Sequence, residues 1–468
     1  MFDYAVVGSG VGGSSIAALL SKKGYRVVLF EKDANLGGCS GSFYHNGYLY
    51  NAGATTLAGY EEGYIVKEIF DAIGFVPDIK ECDISMEVIH GAKRIKRYKD
   101  LNLFLEEIER SYPHEKNEDF WKLVYSINQE FYKVGGYRYT NRSFFAKVKS
   151  LFSFLPVAFK FGRYIFVNAE DFIEKFYGQI DQEYREFLEA QVLIVAQAKL
   201  KEINFFTAAV SLAYTFNKNY HAVGGFKKLF LGLTKNVDTV LKKTEVQKIR
   251  RLKDHFHITT SKQNYLAKNV ILNSTVYESA ELFEEQNIKR EFSPFKKLDN
   301  HQGTFVVYMT LKTDKKFLHH YQLIKQKNYT HAISNSVFVS FADDFKEGYV
   351  SVTASVHTDY RIWYDSYQEK KEQLEDEIFE DIVQSFDIEL GDVLDHFSAT
   401  PQTFKRYINR EQAGGNPITM KNFILKLPAN DTGIKGVYRV GDTTFAAQGW
   451  PGVMMGVKNL SELIECTN

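Results

Sequence analysis

The sequence predicts an α/β fold in which one parallel sheet is assembled from scattered pieces, with a second sheet and a helical layer inserted between them. Three observations predict it. Residues 2–7 form an apolar run ending in Gly8-Ser9-Gly10-Val11-Gly12-Gly13, and helically spaced Ile16, Ala17, Leu19 and Leu20 follow. A second apolar run, 25–30, ends at Glu31. Near 220–275 and again at 436–465, glycine turns return next to short apolar runs and helical spacing. Strand, glycine turn, helix and second strand in that order make a Rossmann-like unit.

Within this unit each residue type has a physical task. Gly8 allows the tight turn, Gly10 lets backbone approach a pyrophosphate, and Gly13 lets helix pack on strand, with Gly12 completing the turn. The helix start offers unpaired N–H groups to phosphate. Glu31, 18 positions past Gly13, can accept both ribose hydroxyl protons. Gly24 is expected to close the helix, and Tyr25–Phe30 to be the second strand.

The residues after Glu31 carry a resemblance. Lys32 leads into Leu36-Gly37-Gly38-Cys39-Ser40-Gly41, followed by Asn51-Ala52-Gly53-Ala54-Thr55-Thr56-Leu57-Ala58-Gly59. This run resembles the phytoene desaturase and carotenoid isomerase family of FAD-dependent oxidoreductases, within the two-dinucleotide-binding flavoproteins. Cys39 stands where that family usually has a basic residue after its Gly-Gly pair. Val223-Gly224-Gly225-Phe226 resembles the family's second Gly-Gly turn into a helix. Thr244-Glu245-Val246, Ile258-Thr259-Thr260 and Asn269-Val270-Ile271-Leu272-Asn273 resemble its strand, hairpin and return strand, with Val246 at the adenine. Gly436–Asp442 resembles its last strand and Gly-Asp, and Gln448-Gly449-Trp450-Pro451-Gly452-Val453 the start of its final helix. The resemblance implies FAD as cofactor. It implies a binding set of Gly8, Gly10, Gly12, Gly13, Glu31, Lys32, Gly38, Cys39, Ser40, Val246, Gly441, Asp442, Gly449, Pro451, Gly452 and Val453. Asp442 would hold the ribitol, and the helix start at 449 would face the flavin's pyrimidine edge.

Cofactor motifs this far apart predict a discontinuous FAD domain over 1–82, 214–290 and 425–468. A substrate-binding β-sheet domain is expected over 83–97 and 291–424, where 303–312, 336–342 and 349–357 read as strands, and a helical subdomain over 98–213. Tyr360–Phe386 reads as one charged amphipathic helix with a solvated face. Thr400–Gly415 resembles the desaturase segment that crosses the flavin, and Arg406 and Arg410 fall within it. No catalytic residue can be named from sequence.

Composition narrows the partners. The 468 residues carry 58 Lys+Arg against 58 Asp+Glu, a balance that excludes wholesale nucleic-acid binding. Three cysteines, Cys39, Cys82 and Cys466, have no CxxC spacing, so neither a disulfide framework nor a thiolate metal site is expected. Twelve histidines show no ligand constellation, and His255 and His257 read as hairpin surface. The opening strand leaves no room for a leader, and no run reaches the roughly 18 apolar residues of a spanning helix, so a cytoplasmic protein is expected. One stretch breaks the balance. Residues 133–167 hold Lys133, Arg138, Arg142, Lys147, Lys149, Lys160 and Arg163 with no acid, interleaved with ten Phe or Tyr, including Tyr137, Tyr139, Phe144, Phe145, Phe161 and Tyr164. An apolar stripe rimmed by cations is the pattern of an interfacial helix on anionic lipid, so peripheral membrane contact is expected there.

Taken with the resemblance, these readings imply an oxidoreductase that desaturates, isomerises or saturates a long apolar isoprenoid, with a quinone or oxygen as acceptor if electrons leave. No second GxGxxG offers a dedicated NAD(P)H domain. Two alternatives share the motifs: a flavin amine oxidase, and a prenyl-lipid-binding protein of the GTPase dissociation inhibitor type. Glu31, Gly441 and Asp442 argue against the second.

Overall fold

The computed structural model describes every residue except 134–138, 141–142, 423 and 467–468. A central seven-stranded sheet runs in the order Thr239–Leu241, Val27–Phe30, Phe2–Val7, Asn264–Leu272, Phe256–Thr260 and Val246–Arg251, and Val437–Arg439 adds to Asn264–Leu272. Phe2–Val7 pairs in parallel with Val27–Phe30 and with Asn264–Leu272, which pairs in parallel with Val437–Arg439. In register, Val7 lies beside Phe30 and Leu272, and Leu272 beside Arg439. Four strands therefore end along one edge, the position where open α/β sheets bind ligands. The helix Val11–Lys22 follows the first strand, and Ile16, Ala17 and Leu20 share a core with Met454, Val457 and Leu460 of the C-terminal helix Gly449–Glu465. The second strand starts at Val27, two residues later than expected, and the Arg26 N–H before it goes to the Asp3 side chain, Oδ2, at 3.0 Å.

A second seven-stranded sheet joins Val393–Ala399, Gln302–Leu311, Val350–Asp359, Ser336–Ala342, His320–Ile324, Ile84–His90 and Lys93–Tyr98. His320–Ile324 and Val393–Ala399 did not stand out in the sequence. Tyr360–Phe386 is not one helix. Trp363 is fully buried, stacks on Phe305 at 5.2 Å and donates to Thr358 Oγ1, which holds Tyr360–Tyr364 in a 3₁₀ turn. The α-helix starts at Tyr367 and buries Leu374, Ile378 and Ile382, one residue per turn, against the sheet.

The helical layer comprises Leu101–Ser111, Asn117–Lys133, Phe144–Leu151, Leu155–Ile165, Ala169–Tyr177, Gln182–Ala196 and Phe205–Leu212. Asp100, Ser143, Asn168 and Asn204 accept backbone N–H bonds at four of the helix starts. Residues 144–165 form two helices around a 3₁₀ turn, rather than one amphipathic helix. Phe161 and Tyr164 face the core, as Tyr139 does from before the first helix, whereas Phe144, Phe145, Phe152, Phe159 and Phe166 are between 63% and 86% exposed. Tyr137, Arg138 and Arg142 lie outside the described residues. Among the described residues no helix is long and apolar enough to cross a membrane.

Candidate cofactor and substrate site

At the C-terminal edge of the central sheet the chain leaves Val7 and turns back through the glycines. A side chain at Gly13 would overlap the Gly8 carbonyl, so only glycine lets the helix start this close to the strand. At Gly10 a Cβ would come within 2.7 Å of Asn273 Nδ2. Asn273 ends the neighbouring strand, and its Oδ1 accepts the Gly13 N–H at 3.0 Å. The sequence reading gave Gly10's space to a pyrophosphate alone, and the structure adds Asn273 as its neighbour. Glu31 is 6% exposed. Its Oε2 accepts the Ser9 N–H at 2.9 Å and the Ser9 hydroxyl at 2.6 Å, while Oε1 accepts the Asp33 N–H at 2.9 Å. Burial pushes its carboxyl above the usual range, against the pull of those bonds.

Beside the turn, Gly37 (φ +106°) packs under Phe230 and donates to the Ser9 carbonyl at 3.1 Å, fixing the Gly37–Gly41 loop. The Cys39 carbonyl accepts the Ala54 N–H at 3.2 Å. Burial pushes the Cys39 thiol up, opposed by the Arg410 guanidinium beside it. Lys32 points to the rim, where Nζ bonds Asn409 Oδ1 and lies 3.4 Å from Glu245. Asp442 is gripped by Arg410, with Nη2 to Oδ2 at 2.8 Å and Nη1 to Oδ1 at 3.2 Å. The start of the C-terminal helix is held by Gln448, whose Oε1 accepts the Gly415 N–H at 2.9 Å and whose Nε2 donates to the Val195 carbonyl at 2.7 Å. Arg406 is exposed on the helix Pro401–Ile408 and does not line the cavity.

One cavity of about 1240 Å³ joins these pieces, and every residue of the sequence-derived cofactor set lines it except Gly13, which lies behind the turn. Its volume exceeds the roughly 300–1,000 Å³ of ordinary ligand pockets. The residues present fit FAD: a glycine turn at a helix start, a buried carboxylate at the end of the second strand, and a second helix start on the same wall. Away from the cradle the wall becomes apolar, with Phe131, Val157, Ile165, Phe206, Val210 and Phe338. Polar groups are interspersed there: Gln322 and Ser336 bond each other at 3.2 Å, Asn217 and Asn219 are nearly fully buried, and Thr207, Ser211 and Tyr214 also line the wall. Phe166, 79% exposed, lies on this wall just past the end of the helix Leu155–Ile165.

The sequence reading missed Asn273 as a support of the glycine turn and the neutral histidines behind the wall. His221 and His319 stack at 4.1 Å, and His319 and His320 meet edge-on at 4.4 Å. His320 Nε2 lies 2.9 Å from Thr56 Oγ1 on the cavity wall. Burial holds His320 down at about 3, and His357, which faces the cavity, at about 4. Their spread over distant strands left no spacing to read. Among the described residues no group of three or more His, Cys, Asp or Glu is placed to hold a metal ion.

Comparison with known proteins agrees with this geometry. Residues 6–73 match the NAD(P)-binding Rossmann-like domain. The chain is 28% identical, over 96% of its length and 81% of the other, to prolycopene isomerase 2 of an Oncidium hybrid cultivar. It is 32% identical to human all-trans-retinol 13,14-reductase over 26% of this chain and 21% of that one. Among solved structures, an oxidoreductase from Methanosarcina mazei superposes with a TM-score of 0.64 at 20% identity, covering 98% of this chain and 100% of that one. Putrescine oxidase bound to putrescine superposes at 0.67 with 13% identity, covering 99% of each chain. The fold is that of these oxidoreductases, and the chain is an enzyme similar along nearly all its length to prolycopene isomerases.

Proposed function

We propose that the protein is an FAD-dependent enzyme acting on carbon–carbon bonds of a long isoprenoid, and that it isomerises double bonds rather than desaturating or saturating them. The observation that carries this is the single cavity in which the glycine cradle opens directly into a chamber walled by phenylalanine and aliphatic side chains. Similarity to prolycopene isomerases along 96% of the chain supports isomerisation. The lack of a second GxGxxG in the sequence weighs against saturation, which needs an electron supply. The amine oxidase reading has the putrescine oxidase fold in its favour, but fold alone does not fix the substrate.

On this reading 1–82, 214–290 and 425–468 bind cofactor, 83–97 and 291–424 form the β-sheet side of the substrate chamber, and 98–213 supplies most of its apolar wall together with its entrance. Bound FAD supplies reversible hydride or electron exchange with an activated polyene. The chain's own residues do the rest. Glu31 takes the ribose hydroxyls, Val246 the adenine and Asp442 the ribitol. The start of the helix Gly449–Glu465 presents its positive end to the ring. Phe206, Val210 and Phe338 hold the hydrocarbon and exclude water.

The substrate is taken from lipid. Exposed Phe144, Phe145 and Phe159 stand on two short helices with Lys147, Lys149, Lys160 and Arg163, Phe152 on the turn between them, and Phe166, just past the second helix, lines the cavity wall. The test is anaerobic titration of the yellow holoenzyme in vesicles with poly-cis carotene and, separately, with putrescine, followed by product chromatography. Isomerised carotene from holoenzyme first reduced with dithionite, with the flavin's redox state unchanged by the polyene, supports the reading. Bleaching of the oxidised enzyme by putrescine sinks it, as does reduced enzyme that leaves poly-cis carotene unisomerised, or protein that takes up no FAD.

A further inference from the structure

Among the described residues six acids line the cavity, Glu31, Glu68, Glu245, Glu278, Glu411 and Asp442, against three Lys or Arg. Lys32 is held at the rim by Asn409 and Glu245, and Lys458 pairs with Glu68. The third, Arg410, is the most buried of the three, with 13% of its side chain exposed against 31% and 30% for the lysines. A diphosphate entering such a wall brings two negative charges out of water, which is costly unless a cation meets them. The Gly8–Gly13 turn and the Gly37–Gly41 loop offer N–H dipoles but no side-chain charge.

Arg410 reaches the site from far along the chain. The helix Pro401–Ile408, N-capped by Thr400, ends where Asn409 adopts a left-handed backbone (φ +53°), and the chain then crosses the cavity. Residues 409–416 are tied down at both ends of the cofactor site. At one end Asn409 bonds Lys32 and Glu245, the latter at 3.0 Å. At the other, Gly415 donates to Gln448 at 2.9 Å and Asn416 to the Thr443 carbonyl at 2.9 Å. In between, the Ala413 N–H bonds the Gln302 carbonyl at 3.0 Å, and Arg410 Nε bonds the Gln412 carbonyl at 2.8 Å, aiming the guanidinium. That guanidinium forks onto Asp442, bonds the Gly414 carbonyl and lies beside the Cys39 side chain. Asp442 follows Gly441, whose backbone closes on Asn273 and Gly12 of the glycine turn. The guanidinium therefore sits where the two glycine loops converge; Asp442 and the Gly414 and Gln412 carbonyls take four of its five N–H groups, and the remaining Nη1 N–H and the charge are what a phosphate oxygen would meet.

We propose that Arg410 is the counter-cation of the cofactor's diphosphate, carried across the site by a strap, residues 409–416, so that a distant segment supplies the charge that Cys39 in the Gly-Gly loop does not. The inference rests on the FAD reading above. Arg410 acts by positioning and neutralising the cofactor, and Asp442 shares it with the diphosphate.

The test is titration of the full chain, stripped of flavin, with FAD, ADP-ribose and riboflavin. Wild type, Arg410→Ala, Arg410→Lys and the double variant Arg410→Ala/Cys39→Arg are compared, with thermal melting of each apoprotein. Arg410→Ala should weaken FAD and ADP-ribose by about 10- to 100-fold, the size expected for lost charge-assisted bonds, and leave riboflavin within about twofold. Arg410→Lys should fall between, and Cys39→Arg should restore most of the FAD and ADP-ribose affinity. Two results would overturn the proposal: FAD affinity unchanged in Arg410→Ala, or riboflavin weakened as much as FAD with no rescue by Cys39→Arg, which would leave Arg410 as a support of Asp442 alone. If Arg410→Ala fails to fold, Arg410→Lys and the double variant decide on the same criteria. Wild-type protein that binds neither FAD nor ADP-ribose would instead overturn the FAD reading itself.

Discussion

The glycine cradle and the Phe-rich helical layer face each other across one cavity but specify their shapes by different means. In the cradle, backbone meets backbone: Gly13 lies against the Gly8 carbonyl, and the Cys39 carbonyl takes the Ala54 N–H at 3.2 Å. In the helical layer the shape is set by which face of a short helix each ring occupies. Phe161 is 3% exposed and Phe159 86%, two residues apart. The cradle thus tolerates almost no change in atoms, while the layer tolerates change in identity if polarity and volume are kept.

That contrast can be broken in four ways. The largest effect is expected from Gly13→Ala, whose methyl has nowhere to go but the Gly8 carbonyl. It should yield protein without bound flavin and with a clearly lower melting temperature, whereas Phe159→Ala should change neither. Next, Phe144→Asp/Phe145→Asp should weaken binding to anionic vesicles by more than about 100-fold, since each inserted Phe contributes about 1.5–3 kcal/mol. Both rings are exposed, at 74% and 83%, so flavin content and melting should stay unchanged. A vesicle-binding loss of less than threefold in flotation assays would remove the lipid-facing role.

The third concerns pH. The His320 pKa is lowered in the fold to about 3 by burial, so below about 6.5 the unfolded chain takes up a proton that the folded one refuses. Stability should therefore fall with acidification, by about 2 kcal/mol between pH 6.5 and 5 from this residue alone. Denaturant melts should show a shallower acid slope in His320→Gln, and an unchanged slope would show that His320 is not what titrates. The smallest effect is expected from Glu31→Gln. The amide keeps the shape but weakens the acceptor, so FAD and ADP-ribose should each lose about 5- to 10-fold in affinity, with riboflavin unaffected.

How far each region was legible follows from the same contrast. Gly8–Gly13, Glu31, Gly441-Asp442 and Gly449 stand out in the sequence because a close backbone approach admits few residue types, and the structure puts them on or behind one cavity wall. Convergence of side chains from distant segments leaves no such mark. Asn273 reads only as the end of a strand, and Arg410 reads like Arg406 four positions earlier, though one grips Asp442 and the other faces solvent. In 133–167, composition shows cations and aromatics together but not that Phe161 and Tyr164 turn inward while Phe159 and Phe166 turn outward. Charge density made 360–386 look like one helix, and the buried Trp363 that breaks it acts through a partner, Phe305, more than fifty residues away.

The claim that cradle and chamber serve one reaction on a lipid is tested most directly by extracting the purified yellow protein and identifying what it carries by mass spectrometry, alongside a Val210→Trp variant that fills the chamber. The account predicts an isoprenoid polyene co-purifying with wild type, and its loss from the variant while FAD is retained. A polar amine in place of the polyene, or a polyene held equally by both proteins, would contradict it.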